Sequence, residues 1–145
     1  MKASRELQNG ILIFIGISIY FLFMDLVGLS DVFYLRLFNT LFVLYGVNRT
    51  ITMNIHDGET VLINNARSAM KTSLVGVFLS IIGLIIYSYI HGGDAYIESL
   101  SKTFLFGGNP SVLSYSLCLL FEGIASSVVV TLMLLLYWND KHVTD

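Results

Sequence analysis

Charge is scarce in this chain of 145 residues. Lys, Arg, Asp and Glu together make up 12% of it, about half the share of an ordinary soluble domain. Basic residues are in no excess: the formal net charge is -2, so nothing here offers the positive surface that nucleic acid phosphates require. Cysteine occurs once, at Cys118, which excludes a disulfide within the chain and a zinc knuckle. Cys118 sits in an apolar run, where a buried, inert thiol is expected in preference to a redox or catalytic one. The sequence holds no nucleotide-binding loop, no serine or cysteine nucleophile with a base nearby, and no histidine pair of haem type within its apolar stretches. Enzymatic activity and a bound cofactor are therefore not expected.

What the chain does have is apolar side chains, at 55% of its residues, and a mean hydropathy of +0.76. A water-soluble fold of this size could not hide so much apolar surface, and lipid is its natural solvent. Residues 1–145 read as a single domain. A bilayer core of ~30 Å needs about 20 helical residues, and four stretches approach that length: Gln8 to Leu29, Val32 to Val47, Lys71 to Ile90 and Val112 to Trp138. The first begins soon after Met1-Lys2-Ala3-Ser4-Arg5 and resembles a signal peptide. It is longer than a signal's apolar region and no small-x-small cleavage site follows it, so it is expected to stay as the first helix. The second stretch is the shortest and carries Arg36 and Asn39.

The connections refine the picture. Gly28-Leu29-Ser30-Asp31 is a tight turn, with a glycine to end one helix and Ser30 or Asp31 to cap the next. A turn this short makes the first two helices antiparallel neighbours. Thr50 to Met70 reads as a polar loop with an Asp57-Gly58 turn signal, becoming helical from about Asn64. Between His91-Gly92-Gly93-Asp94 and Gly107-Gly108-Asn109-Pro110, Ile97, Leu100 and Phe104 recur at helical spacing. Tyr96 lies beside them, with Glu98 and Lys102 on another side. That pattern predicts a short amphipathic helix on the outer membrane surface.

Lys2, Arg5, Arg49, Arg67, Lys71 and Lys141 fall on one side of such a layout, and Arg36 and Lys102 towards the other. Positive charge collects on the cytoplasmic side. The expected fold is thus an all-α membrane protein: four transmembrane helices in an antiparallel bundle, both termini cytoplasmic. Tyr89, Tyr96, Tyr137 and Trp138 fall near the interfaces of that layout.

Polar residues inside apolar stretches are the candidate site residues. Glu122 lies about eleven residues from the outer end of the fourth stretch, ~16 Å deep at 1.5 Å per residue. A charge there costs at least ~2.5–3.5 kcal/mol on insertion scales. Two readings fit: a carboxylate that binds a proton or cation, or a neutral acid that locks helix packing or holds a partner. Asp25 and Arg36 lie equally far from the first turn and so at one depth, where an ion pair would clamp the hairpin. Asn39 sits one helical turn beyond Arg36. Ser73, Gly76, Ser80 and Gly83 form a stripe of small residues on the third helix, and Gly123, Ala125, Ser126 and Ser127 a patch beside Glu122. Small residues let helices approach closely in lipid, so these two helices are expected to pack together or against a partner.

His56, Asp57 and Glu59 match no strong metal motif and read as a solvated turn, as do His91 and Asp94. No metal site is expected. Asn48-Arg49-Thr50 has the form of a glycosylation triplet at the cytoplasmic end of a helix.

From Gly58 through Glu98 the chain runs from a polar turn through a helical lead with Ala66 and Ala69 and a glycine-bearing apolar span. A tyrosine-rich exit follows, Tyr87-Ser88-Tyr89-Ile90, then Asp94-Ala95-Tyr96. This stretch resembles small four-span proteins of unknown function common in the inner membranes of Bacteroidota. The resemblance implies a bacterial inner membrane and carries no activity or site residue. The leading functional expectation is a structural or accessory subunit of a larger membrane complex, partnered by the lipid bilayer and by other membrane subunits or further copies of itself. The alternative is a small oligomeric transporter or channel using Glu122. Four-span multidrug exporters carry their membrane carboxylate in the first helix; here that helix offers only Asp25 near its outer end.

Overall fold

In a computed structural model, the structure describes residues 4–29, 32–100 and 111–142. Every regular element among them is helical: α1 (Arg5–Val27), α2 (Phe33–Arg36), α3 (Asn39–His56), α4 (Leu62–Ile90), α5 (Asp94–Leu100) and α6 (Val112–Tyr137), followed by a 3-10 turn at Asn139–Lys141. Local chemistry sets the ends. Ser4 caps α1 by accepting from the Leu7 amide at 3.2 Å, and Ser111 caps α6 through the Ser114 amide. Gly28 ends α1 in the left-handed region (φ 78), the conformation a glycine adopts without strain. Its N–H reaches the Asp25 carbonyl and the Leu29 N–H reaches that of Met24, closing the last turn.

Three helices, α1, α4 and α6, are long and apolar enough to cross a membrane, which makes this an integral membrane protein. The second stretch departs from expectation. It is helical, but tightened turns at Leu37 and Phe38 divide it, with N–H groups bonding to the carbonyls of Tyr34 and Leu35. It then continues past Val47 to His56. The expected polar loop from Thr50 is in fact helix up to His56, and the next helix starts at Leu62. The cause is burial: Thr50 is 0% exposed and Asn54 9%, and both bond to other elements, which holds these polar residues in helical register.

α4 packs against α1, α3 and α6, and α3 also touches α1 and α6. Successive long helices run in opposite directions. One end of the molecule joins Arg5, Asn54, Asn65 and His142; the other joins Asp25, Tyr87, Tyr96 and Asp94. Ile13 is fully buried at the centre of the main core, with Val43, Val47 and Val130 in the same cluster. Two glycines make room for it: a Cβ at Gly46 of α3 or Gly76 of α4 would lie within 3.0 Å of the Ile13 side chain. Lipid gives apolar helices no hydrophobic reason to associate, so close fits of this kind supply van der Waals contact instead.

α5 is the short helix expected after the third stretch, but its apolar side turns inward. Ile97 is 0% exposed and packs with Val112 and Tyr115 of α6 and against Phe21, Leu84 and Leu119. It roofs the long helices instead of presenting Ile97 to lipid. Two members of that expected pattern, Lys102 and Phe104, lie outside the described residues, as do Ser30, Asp31 and the Gly107-to-Pro110 turn.

Candidate functional site

Between the long helices, in the half nearer α5, lies a cavity of about 310 Å³. That is within the size range of small-ligand sites. Most of its wall is apolar, from residues such as Phe14 and Phe21 of α1 and Leu84 of α4, and its polar groups come from different helices. Arg36 ends α2, Asn39 begins α3, Ser80 lies on α4, and Glu122 and Ser126 lie on α6. Tyr115, Leu119, Glu122 and Ser126 follow one another at intervals of four, three and four residues, which aligns them on one face of α6.

Arg36 donates from Nη1 to the Tyr115 hydroxyl at 2.8 Å, with its guanidinium 6.0 Å from the ring centre. Asn39 turns a buried Oδ1 towards no hydrogen-bond partner among the described residues. Glu122 borders the cavity yet is exposed in the isolated chain.

Asp25 accepts from the Tyr87 hydroxyl at 2.7 Å and the Tyr96 hydroxyl at 3.2 Å. The hydrogen bonds described for Asp25 and for Arg36 thus run to tyrosines of α4, α5 and α6, each holding its charge against a phenol. Tyr87 also lines the cavity, and the His91 ring stacks on it at 3.9 Å. Burial, reinforced by the Asp25 charge, holds the Tyr96 phenol far above its usual range, so it stays a donor. Asp94 accepts from the Val112 amide at 2.9 Å and so joins α5 to the start of α6.

The small residues divide. Gly83 and Ser80 of α4, with Gly123 and Ser126 of α6, border the cavity. Gly83 faces Phe14, Gly76 faces Ile13, and Gly123 faces Val77. The α4 glycines therefore admit α1, while α6 approaches α4 through Gly123. Ser73 and Ser127 are fully buried and bond to their own helix, at Met70 O (3.1 Å) and Gly123 O (2.8 Å).

A second group of polar residues was not foreseen. At the Arg5 end, Asn9 donates to the Thr50 hydroxyl, and that hydroxyl bonds to Thr72, each at 2.8 Å. One helical turn nearer the surface, Asn54 accepts from Arg5 at 2.9 Å and donates to Asn65 at 3.0 Å. Asn65 in turn bonds the Glu59 carbonyl and the His142 ring. The available signal was the three asparagines, Asn9, Asn54 and Asn65, in or beside apolar stretches, where an amide needs a partner. Glu59 braces the approach to α4, accepting from the Val61 amide and from the Asn64 side chain. Thr50, the hydroxyl residue of the Asn48-Arg49-Thr50 triplet, is wholly buried in this network.

The charged and polar groups at the cavity, set among helices of membrane-spanning length, define a polar site inside an integral membrane protein. Comparison of the chain with family models, curated proteins and solved structures gives no match.

Proposed function

We propose that the chain is a small membrane transporter or channel in which Glu122 binds a proton or a small cation at the cavity. The observation that carries this reading is the meeting of Glu122, Arg36 and Asn39, from three different helices, around one apolar-walled space. Ionisable groups inside a membrane protein characteristically line solute and ion paths. The glycines at 76, 83 and 123 are occupied by contacts within the chain, so the small-residue stripe offers less to a partner than its pattern suggested.

The topology that goes with this function has four spans, with α2 and α3 together forming the second. Both termini face the cytoplasm, because Arg5, Arg49, Arg67, Lys71 and Lys141 gather towards the Arg5 end. The resemblance to four-span Bacteroidota proteins favours a bacterial inner membrane.

One observation favours the second reading, an accessory subunit or self-associating chain. Glu122 is exposed, and so are Phe121 and Ala125 beside it. A helix from a partner laid there would cover the carboxyl group.

The test is proton flux into sealed liposomes carrying the purified protein and a trapped pH-sensitive dye, driven by a potassium diffusion potential. Flux above that of protein-free vesicles is expected, abolished by Glu122→Gln and retained by Glu122→Asp. Wild-type flux equal to the background removes the transport reading. Loss of a defined oligomer in Glu122→Gln on native mass analysis supports the second.

A further inference from the structure

Three levels stack along the molecule between the α5 end and the Arg5 end. The cavity with Arg36, Asn39 and Glu122 occupies the first, and its inner limit includes Val43 and Val77. The hydrogen-bonded set Asn9, Thr50 and Thr72 occupies the third; all are buried, and the Asn54–Asn65–His142 bonds continue it towards the surface. The level between them is apolar. On α1, Asn9, Ile13 and Ile17 follow one another at intervals of four residues, so Ile13 stands directly between the third level and the first. The same order appears on α4, where Thr72, Gly76 and Ser80 belong successively to the polar set, the Ile13 contact and the cavity. On α3 it is Thr50, Gly46 and Val43.

We infer that Ile13 is a hydrophobic gate between the Glu122 cavity and the packed polar set of Asn9, Thr50 and Thr72, the cavity and that set marking the two halves of one path for protons or a small cation. This deepens the transport reading and rests on it. The chemistry fits both polar levels. The Asn9 amide and the Thr50 and Thr72 hydroxyls can hold a proton or a dehydrated cation by exchanging their mutual bonds, and an apolar constriction between that set and the cavity resists conduction by excluding water. Gly46 and Gly76 seat Ile13 close against two helices, so moving the plug out of line takes a rotation or slide of α1 that opens the Asn9–Thr50 bond and works against the Arg5–Asn54 and Ser68–Glu6 bonds.

The experiment reads accessibility and flux separately. In a Cys118→Ser background, Ser126→Cys places a thiol at the cavity, to be reacted with a membrane-impermeant thiol reagent in right-side-out and in inverted vesicles. With Ile13 intact, labelling from the α5 side alone is expected. With Ile13→Ala, labelling from both sides is expected, and proton conductance in liposomes rises roughly tenfold, the size of effect that about 1.4 kcal/mol off a barrier produces. Ile13→Leu keeps one-sided labelling. Should Ile13→Ala fail to accumulate, Ile13→Val, which removes one methylene, is expected to give the same change at smaller amplitude.

One-sided labelling in a folded Ile13→Ala or Ile13→Val protein overturns the gate. Two-sided labelling with Ile13 intact overturns it as well. If the thiol is reached from neither side in the parent, the cavity is no part of a path and both readings fall. If labelling becomes two-sided but the raised conductance survives Glu122→Gln, the gate stands and the role given to Glu122 falls.

Discussion

The Tyr87 hydroxyl of α4 donates to the Asp25 carboxylate of α1 across 2.7 Å, and the same carboxylate accepts from Tyr96 of α5. One acidic side chain therefore ties three helices together at the α5 end. Removing one donor is expected to cost roughly 1 kcal/mol, and removing the shared acceptor more, because two half-buried hydroxyls then lose their partner. Titration with denaturing detergent, read by circular dichroism, checks the order: Tyr87→Phe mildly destabilised, Asp25→Ala clearly more so. Equal effects from the two variants contradict the shared-acceptor arrangement.

Gly46 leaves no space for a side chain beside Ile13. Gly46→Val is expected to lower stability by about 1–3 kcal/mol through overpacking. Ile13→Ala is expected to lower it by about 2–5 kcal/mol through the void it leaves. The checking measurement is the same detergent titration, with Leu41→Ala, at an exposed position on the same helix as Gly46, as a control that stays close to wild type.

Trp138 donates from Nε1 to Asn48 Oδ1 at 2.8 Å, joining the end of α6 to α3. Trp138→Phe keeps most of the ring area and loses this bond, at a cost of roughly 1 kcal/mol. Hydrogen exchange at the last turn of α6 is expected to quicken in that variant while the middle of the helix stays protected.

Arg5 bonds to Asp57 and holds that carboxyl below its ordinary value of 3.8, first through the hydrogen bond and then through its charge. A carboxyl depressed in the folded state stabilises it above the unfolded value and loses that contribution as pH falls through the lower folded one. The pair is exposed, so the effect is small. The midpoint difference between wild type and Asp57→Asn is expected to be constant from about pH 8 to about pH 5 and to close below about pH 4. A difference that grows on acidification contradicts the assignment.

Much of the fold was legible because membrane helices announce themselves by length. The apolar runs ending near Leu29, Ile90 and Trp138 gave α1, α4 and α6, and Gly28 marked its helix end through a backbone angle that few other residues tolerate. The end of α3 was not legible. Thr50 and Asn54 look like loop residues until their partners on α1 and α4 are known, and such tertiary hydrogen bonds leave no periodic trace. The same limit applies to the site. Glu122, Arg36 and Asn39 stood out singly as polar residues in apolar surroundings. That they border one cavity depends on helix rotation, which a pattern of nearly all-round apolar residues leaves undetermined. For Asp25 and Arg36 equal depth suggested each other, whereas the structure sets tyrosines beside both, and tyrosine in an apolar stretch reads first as an interface residue.

The seat of Ile13 between Gly46 and Gly76 makes three positions share one volume. None can gain or lose a methyl group without the others answering. Among natural variants of this chain, a larger residue at 46 or 76 should appear together with a smaller one at 13. Such paired drift would record, in sequences alone, how closely these three helices meet.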